Sequence, residues 1–159
     1  MARSLARQAI VQLLYEKMAG GERNPETFDM IYEGFAAAKT SEKDSADSEI
    51  FSPAADPLTK DDHAYIDAIT EGVAIHEDEL DQCIRKHSTG SWSFDRLPFV
   101  DLCILRLAAY EIIYVESVPD NVSVSEAVEL AKRYSEERNS RYINGVLGAI
   151  VREKTQPQE

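Results

Sequence analysis

The residues with the clearest binding chemistry lie near the C-terminus, in the stretch SRYINGVLGAIV from Ser140 to Val151. An arginine and a tyrosine are adjacent there, at Arg141 and Tyr142, and two glycines follow within one turn and two turns of a helix. A guanidinium binds phosphate and an aromatic ring stacks on a base, and single-stranded nucleic acid is recognised by this pair of contacts. The stretch therefore predicts a nucleic-acid interface.

The glycines of this stretch need a reason, because each costs about 1 kcal/mol relative to alanine inside a helix. The apolar residues around them keep helical spacing, namely Ile143, Val146, Leu147 and Ile150. Arg141, Gly145 and Gly148 then fall on the opposite face of the helix. Three explanations stay open: an exposed face that a backbone or base approaches closely, close packing of a neighbouring helix, or a turn at Asn144-Gly145. The turn is disfavoured, since the apolar phase continues across it.

A second basic feature lies at the N-terminus, where Arg3 and Arg7 are four residues apart and share one helix face. Cations in the first turn of a helix oppose its dipole, and an anionic partner would offset this cost of roughly 0.3–1 kcal/mol. An ordinary solvated basic turn explains the same pattern.

Residue patterns for catalysis or metal binding are missing. The histidines at 63, 76 and 87 are too widely spaced for a ligand pair and have no cysteine at metal spacing. No glycine-rich loop cradles a phosphate, and no nucleophile-elbow motif frames a serine. The sequence predicts a protein that is not an enzyme and has no cofactor or metal.

Helical patterns dominate the chain and predict a single all-α domain of about seven helices over residues 1–153. Helices are expected at 3–19, 25–38, 59–87 (one helix, or two with a break near Gly72 or His76), 95–115, from Ser123 to about 134, and 138–153. Two capping boxes are predicted at helix starts, one formed by Thr59 and Asp62 and the other by Ser123 and Glu126. The helix over 95–115 is apolar on nearly every face and should be central. Residues 40–56 are predicted to be a flexible acidic loop, 88–93 a turn, and 154–159 a disordered tail.

The net charge of −12 is unevenly distributed. Residues 1–20 sum to +2, residues 21–82 to −13 and residues 83–159 to −1. This weakens an RNA-binding interpretation without excluding it, because the acidic residues lie in the middle of the chain. No apolar run is long enough to span a membrane, and no signal-peptide cleavage site follows the N-terminal helix. Cys83 and Cys103 are predicted to be buried thiols and not a disulfide. A cytoplasmic protein is expected.

Several motifs resemble those of the NusB family. The N-terminal ARQAIVQLLYE (Ala6–Glu16) is similar to the family's opening helix. A closer resemblance covers RLPFVDLCILRLAAYEIIYVESVP (Arg96–Pro119), VSVSEAVELAKRYS (Val122–Ser135) and RYINGVLGAI (Arg141–Ile150). The strong similarity extends over about 75 of the 159 residues, whereas residues 20–60 show little.

The resemblance implies two packed helical halves and a transcription antitermination factor. It implies binding to boxA-type single-stranded RNA of rRNA leader transcripts, together with the small-subunit ribosomal protein NusE and RNA polymerase. By position, Arg3 and Arg7 match arginines that meet RNA phosphates, and Arg141 with Tyr142 matches a Lys-Phe pair at the RNA surface. Arg138 adds positive charge beside that pair, and Gly145 keeps the surface open. Asp101 matches an acidic position that faces the protein partner.

Two other interpretations of the function remain open. The first is an acidic protein-interaction module of the same fold, as a possible homodimer, with little RNA affinity of its own. The second is the front domain of an rRNA cytosine methyltransferase, which the absence of a following cofactor-binding domain disfavours.

Overall fold

The computed structural model describes residues 3–18, 58–88 and 94–155 of the chain. Within these ranges the secondary structure is helical and contains no strand. The six α-helices are α1 (Ser4–Met18), α2 (Lys60–Ile75), α3 (Glu77–His87), α4 (Phe99–Tyr114), α5 (Asp120–Tyr134) and α6 (Glu137–Thr155). The predicted all-α class is confirmed. The helix predicted at 25–38, the loop at 40–56 and most of the turn at 88–93 lie outside the described residues.

The chain divides into two compact units, Met1–Ile66 and Asp67–Glu159, with the boundary inside α2. In the first unit, α1 buries an apolar stripe that includes Ile10, Leu13 and Leu14. The second unit contains α3 to α6 and the residues discussed most closely below.

Helix α4 is the centre of the second unit. Eleven of its sixteen residues are buried, from Asp101 through Ile112. It packs against α3, α5 and α6, and α6 in turn packs against α3 and α5. A helix that is apolar on nearly all faces is stable only when neighbours cover it on every side, as they do here. The prediction of a central, buried helix is confirmed.

An ion-pair cluster holds α3 against α4. The guanidinium of Arg106 on α4 donates two hydrogen bonds to the Asp81 carboxylate, from Nε and Nη2, at 2.8 Å each. Its Nη1 lies 2.9 Å from Glu77 Oε1. Arg106 is only 7% exposed, so this two-point geometry fixes the register of the two helices.

Two helix starts differ from prediction, and proline explains both. Helix α4 begins at Phe99 because Pro98 is its N-cap, and residues 94–96 form a separate 3-10 turn instead of the first turn of α4. Helix α5 begins at Asp120 because Pro119 is its N-cap, so the predicted capping box at Ser123 is wrong. Ser123 lies inside the helix and is 1% exposed.

Other boundaries agree with prediction. Thr59 and Asp62 form the predicted capping box, in which each backbone N–H donates to the other residue's side chain at 3.0 Å. The predicted break falls at His76, which alone separates α2 from α3. Helix α6 continues to Thr155, so residues 154 and 155 are helical and not part of a tail. There, Lys154 Nζ donates to the Ile112 carbonyl at 2.7 Å.

The described helices do not have the character of membrane spans. None of them combines the length and the apolar character that crossing a bilayer requires.

Candidate nucleic-acid interface

Helix α6 has two faces of opposite character. Its buried face carries Ile143, Val146, Leu147 and Ile150. The opposite face carries three arginines and two glycines within about 80° of arc at 100° per residue. We call this set the arginine–glycine stripe: Arg138, Arg141, Gly145, Gly148 and Arg152. Each of its arginines is exposed.

The glycines of the stripe face open space. No described atom lies within 4 Å of a Cβ built at Gly145. At Gly148 the nearest atom is Arg152 Nη1 at 3.5 Å, which belongs to the stripe itself. Close packing of another described helix is therefore not the reason for either glycine. Both positions are helical, which excludes a turn at Asn144-Gly145.

The cations of the stripe differ in their partners. Arg138 Nε pairs with Glu136 at 2.7 Å, and this pair is well exposed. Among the described residues, no carboxylate lies within ion-pair distance of Arg141 or Arg152. Arg152 was missed in the sequence, although it lies eleven residues after Arg141, which is three helical turns and the same face. Helix α6 as a whole carries two more basic than acidic residues.

Tyr142 lies at the edge of the stripe, and its ring is held in place by a short chain of hydrogen bonds. Its hydroxyl donates to Ser88 Oγ at 2.6 Å, and Ser88 Oγ donates to the Ile84 carbonyl at 2.7 Å. Ser88 is the C-cap of α3. The aromatic ring that is predicted to stack on a base is thus oriented by the end of another helix, and no local pattern pointed to Ser88.

A shallow groove of about 600 Å³ runs beside the stripe, between α5 and α6. Gly148 and Arg152 line it and so belong to both features. The other lining residues are three valines (Val124, Val128 and Val151), the amides Asn121 and Asn144, Ser125 and Glu129. The groove therefore offers an apolar floor with hydrogen-bonding groups at its sides.

The N-terminal arginines lie in the first unit and differ sharply in exposure. Arg3 is partly exposed, and its guanidinium lies 3.9 Å from the centroid of the Tyr65 ring, which is a cation–π contact. Arg7 is 3% exposed. A phosphate role for Arg7 stays a prediction, and the buried guanidinium has little surface to offer a ligand.

Asp101 is buried and not on the surface. It is 1% exposed, and its Oδ2 accepts a hydrogen bond from Asn139 Nδ2 at 2.9 Å. Among the described residues its Oδ1 has no hydrogen-bond partner. Burial raises the pKa of this carboxyl, against the hydrogen bonds from Ser135 and Asn139. The partner-facing role of Asp101 stays a prediction, and the structure corrects the expectation that its carboxylate is exposed.

The described residues offer no site for metal binding or covalent chemistry. Over the described ranges, no group of three His, Cys, Asp or Glu side chains is placed to hold a metal ion. Neither cysteine forms a disulfide, and burial raises the pKa of Cys103 to about 12, which keeps its thiol protonated and unreactive.

Fold and surface together define a class: an all-helical binding protein with a basic, glycine-lined helix face. The model of the NusB family matches residues 2–152. The chain belongs to the NusB family. This confirms the resemblance seen in the motifs, and it confirms the prediction of a binding protein that is not an enzyme.

Relatives support the assignment over different lengths. A transcription antitermination protein NusB of Clostridium botulinum strain Hall is 35% identical over 155 residues, which covers 95% of this chain and 100% of the relative. The corresponding proteins of Enterococcus faecalis and Bacillus subtilis are 44% and 46% identical over 89 and 86 residues. Those two matches span 56% and 54% of this chain, and only 58% and 65% of the relatives' length.

Solved structures agree in fold. NusB of T. maritima superposes with a TM-score of 0.69 at 26% identity, covering 96% of this chain and 92% of the other. A crystal structure of antitermination factors NusB and NusE in complex with dsRNA gives the same TM-score at 28% identity, with 96% and 97% covered.

Proposed function

We propose that the protein is a transcription antitermination factor of the cytoplasm that binds boxA-type single-stranded RNA of rRNA leader transcripts. The arginine–glycine stripe is the proposed RNA surface. The observation that carries the proposal is the open backbone at Gly145 between Arg141 and Arg152, which have no carboxylate within ion-pair distance among the described residues. A helix that loses about 1 kcal/mol at each glycine gains from it only when something approaches its backbone closely.

Each part of the surface has a chemical role in this proposal. Arg141 and Arg152 lie about 16 Å apart along the helix axis, and each binds an RNA phosphate. Arg138 binds a further phosphate when its guanidinium leaves Glu136 and pairs with the phosphate instead. Tyr142 stacks on a base, since Ser88 already orients its ring. The groove between α5 and α6 offers amides to base edges beside the phosphate path. Arg3 provides a further phosphate contact from α1, and Arg7, which is 3% exposed, provides one after its side chain leaves its buried position.

NusE is the proposed protein partner, and RNA polymerase the proposed target of the assembled factors. A structural neighbour is a complex of NusB, NusE and dsRNA, which supports both kinds of partner for this family. In this proposal Asp101 acts indirectly, by holding Asn139 in the first turn of α6 and so positioning the neighbouring Arg138.

The test is a titration of labelled boxA RNA, alone and with NusE, at several salt concentrations. Replacing both Arg141 and Arg152 with alanine should weaken binding at least tenfold. It should also lower the slope of log K against log salt by about 1.4, since each phosphate contact to a single strand contributes about 0.7. Arg85→Ala with Arg133→Ala removes two exposed charges away from the stripe and should leave the slope nearly unchanged.

A second pair of variants tests stacking. Tyr142→Leu should weaken binding by roughly tenfold without changing the salt slope, because a base–aromatic stack contributes about 1–3 kcal/mol. Tyr142→Phe keeps the ring and should retain most of the affinity. If neither RNA alone nor RNA with NusE binds, or if the stripe and control variants behave alike, the alternative of a protein-interaction module with little RNA affinity replaces the proposal. A duplex competitor shows whether single strands are preferred.

A further inference from the structure

A second exposed surface lies where α2 meets α3. His76, the one residue between these helices, stacks on Tyr114 with ring centroids 4.4 Å apart. Tyr110 lies 5.1 Å from Tyr114 and 6.1 Å from His76. Ile75 ends α2 beside them. We call Ile75, His76, Tyr110 and Tyr114 the aromatic corner.

The corner is apolar and exposed. Ile75 is 69% exposed and Tyr114 is 39% exposed, and both rank among the few large apolar side chains that the described part of the chain leaves at its surface. Single exposed apolar residues are common, but here an exposed isoleucine directly precedes a histidine that stacks with tyrosine rings, so apolar and aromatic groups form a patch at the end of α2. Such patches indicate contact with another molecule.

The rings are held rigidly. The Tyr114 hydroxyl donates to both carboxylate oxygens of Glu79, at 2.6 and 2.7 Å. His76 Nδ1 lies 3.2 Å from Glu79 Oε2. Tyr110 occupies the space over Gly72, where a Cβ would lie 2.2 Å from its hydroxyl oxygen. Because the rings are fixed before any contact, little conformational entropy remains to be lost on binding.

The surroundings of the corner are strongly acidic. Residues 67–84 carry six carboxylates and no lysine or arginine. Arg106 pairs with two of these, Glu77 and Asp81. Glu79 touches the rings directly, and Glu71 lies one helical turn before Ile75 on the same face of α2. Hydrogen bonding from Tyr114 lowers the pKa of Glu79, so its charge persists at neutral pH.

The geometry points to a docking site for a basic polypeptide segment, in which an arginine or lysine lies over the Tyr114 ring next to Glu79 while an apolar neighbour covers Ile75. Aromatic faces and carboxylates both attract cations. Burying the aliphatic side chain of Ile75 against an apolar residue of the peptide is also favourable. Nucleic acid is repelled by the six carboxylates. The site is separate from the arginine–glycine stripe, so it does not depend on RNA binding there.

The probe is a synthetic dodecapeptide of alternating arginine and leucine, with a glutamate-for-arginine version as control, titrated into the full-length ¹⁵N-labelled protein. We expect shifts centred on residues 71–79 and 110–114. Ile75→Ser with Tyr114→Ala should weaken binding at least tenfold, and Glu79→Gln about threefold. Phe99→Ser removes an aromatic that is 51% exposed at the other end of α4 and should change binding less than twofold.

Tyr114→Phe is the control for a folding defect at this position. It keeps the aromatic ring, so its affinity for the arginine peptide should stay within twofold of that of the unaltered protein. Equal binding by all variants, equal binding of the glutamate peptide, or no binding at all overturns the proposal. So does a homodimer in sedimentation experiments that disappears in the Ile75/Tyr114 variant. The same variant should bind boxA RNA normally, so this proposal and the RNA proposal fail independently.

Discussion

The arginine–glycine stripe and the aromatic corner are exposed faces of the same unit, but they are built in opposite ways. The stripe removes side chains at Gly145 and Gly148 and surrounds the bare backbone with cations. The corner stacks rings and surrounds them with carboxylates. In a chain with a net charge of −12, basic and acidic groups are thus segregated onto two different surfaces, as the two proposed ligands require.

Glycine has a different purpose in each region. Gly72 lies under Tyr110, so its missing Cβ is filled by a neighbouring side chain. Gly145 has no described neighbour within 4 Å, so its missing Cβ leaves open surface. Gly72 therefore contributes to packing, whereas Gly145 lowers helix stability with no packing gain among the described residues, as the proposed RNA surface would explain.

The largest expected effect tests the packing of the corner. Gly72→Ala should lower the free energy of unfolding by about 2 kcal/mol, because overpacking forces Tyr110 out of the ring stack. Urea denaturation measures this. In a Tyr110→Ala background the clash is absent, and the same substitution should instead be neutral or stabilising. Destabilisation of equal size in both backgrounds would contradict the packing role of Gly72.

A smaller effect of opposite sign is expected in the stripe. Gly145→Ala should raise the free energy of unfolding by about 1 kcal/mol, since alanine is the better helix former and its methyl group meets no described atom. The same variant should bind boxA RNA less tightly. A stabilised protein with unchanged RNA affinity would mean that nothing approaches the backbone at this position.

The smallest effect concerns the pH dependence of the corner. The hydrogen bond to Glu79 raises the pKa of Tyr114 to about 12. Because this is above the ordinary tyrosine value, the stability from Tyr114 is present below about pH 10 and is lost as the pH rises toward 12. Glu79→Gln should return the Tyr114 pKa toward 10, as followed by NMR of labelled tyrosine rings.

Local patterns predicted much of the fold and part of the candidate site. Helical periodicity correctly predicted that Arg141 and Gly145 lie on the exposed face of α6, with Tyr142 beside them. This works because the apolar residues identify the buried face of a helix, and the remaining positions then form the exposed face. The same reasoning applied over one more turn would have found Arg152. Proline set the starts of α4 and α5, in α5 against the capping-box signal at Ser123, because it keeps the residue before it out of the helical conformation.

Contacts between distant residues were beyond local reasoning. Ser88 meets Tyr142 across 54 residues, and Asn139 meets Asp101 across 38. Neither pair has a spacing that a pattern could reveal, because packing of separate helices creates it. Packing of separate helices also buries Asp101. Resemblance to a family can suggest the role of a residue, but it does not predict how exposed the residue is in this chain.

The single-residue joint at His76 has a mechanical consequence. The His76 amide still donates to the Gly72 carbonyl at 3.0 Å, and the Leu80 amide donates to the His76 carbonyl at 2.9 Å. One of these bonds closes the last turn of α2 and the other opens α3, so the backbone of His76 is tied to both helices. Hydrogen exchange at Leu80 should be as slow as within the helices if this joint stays closed.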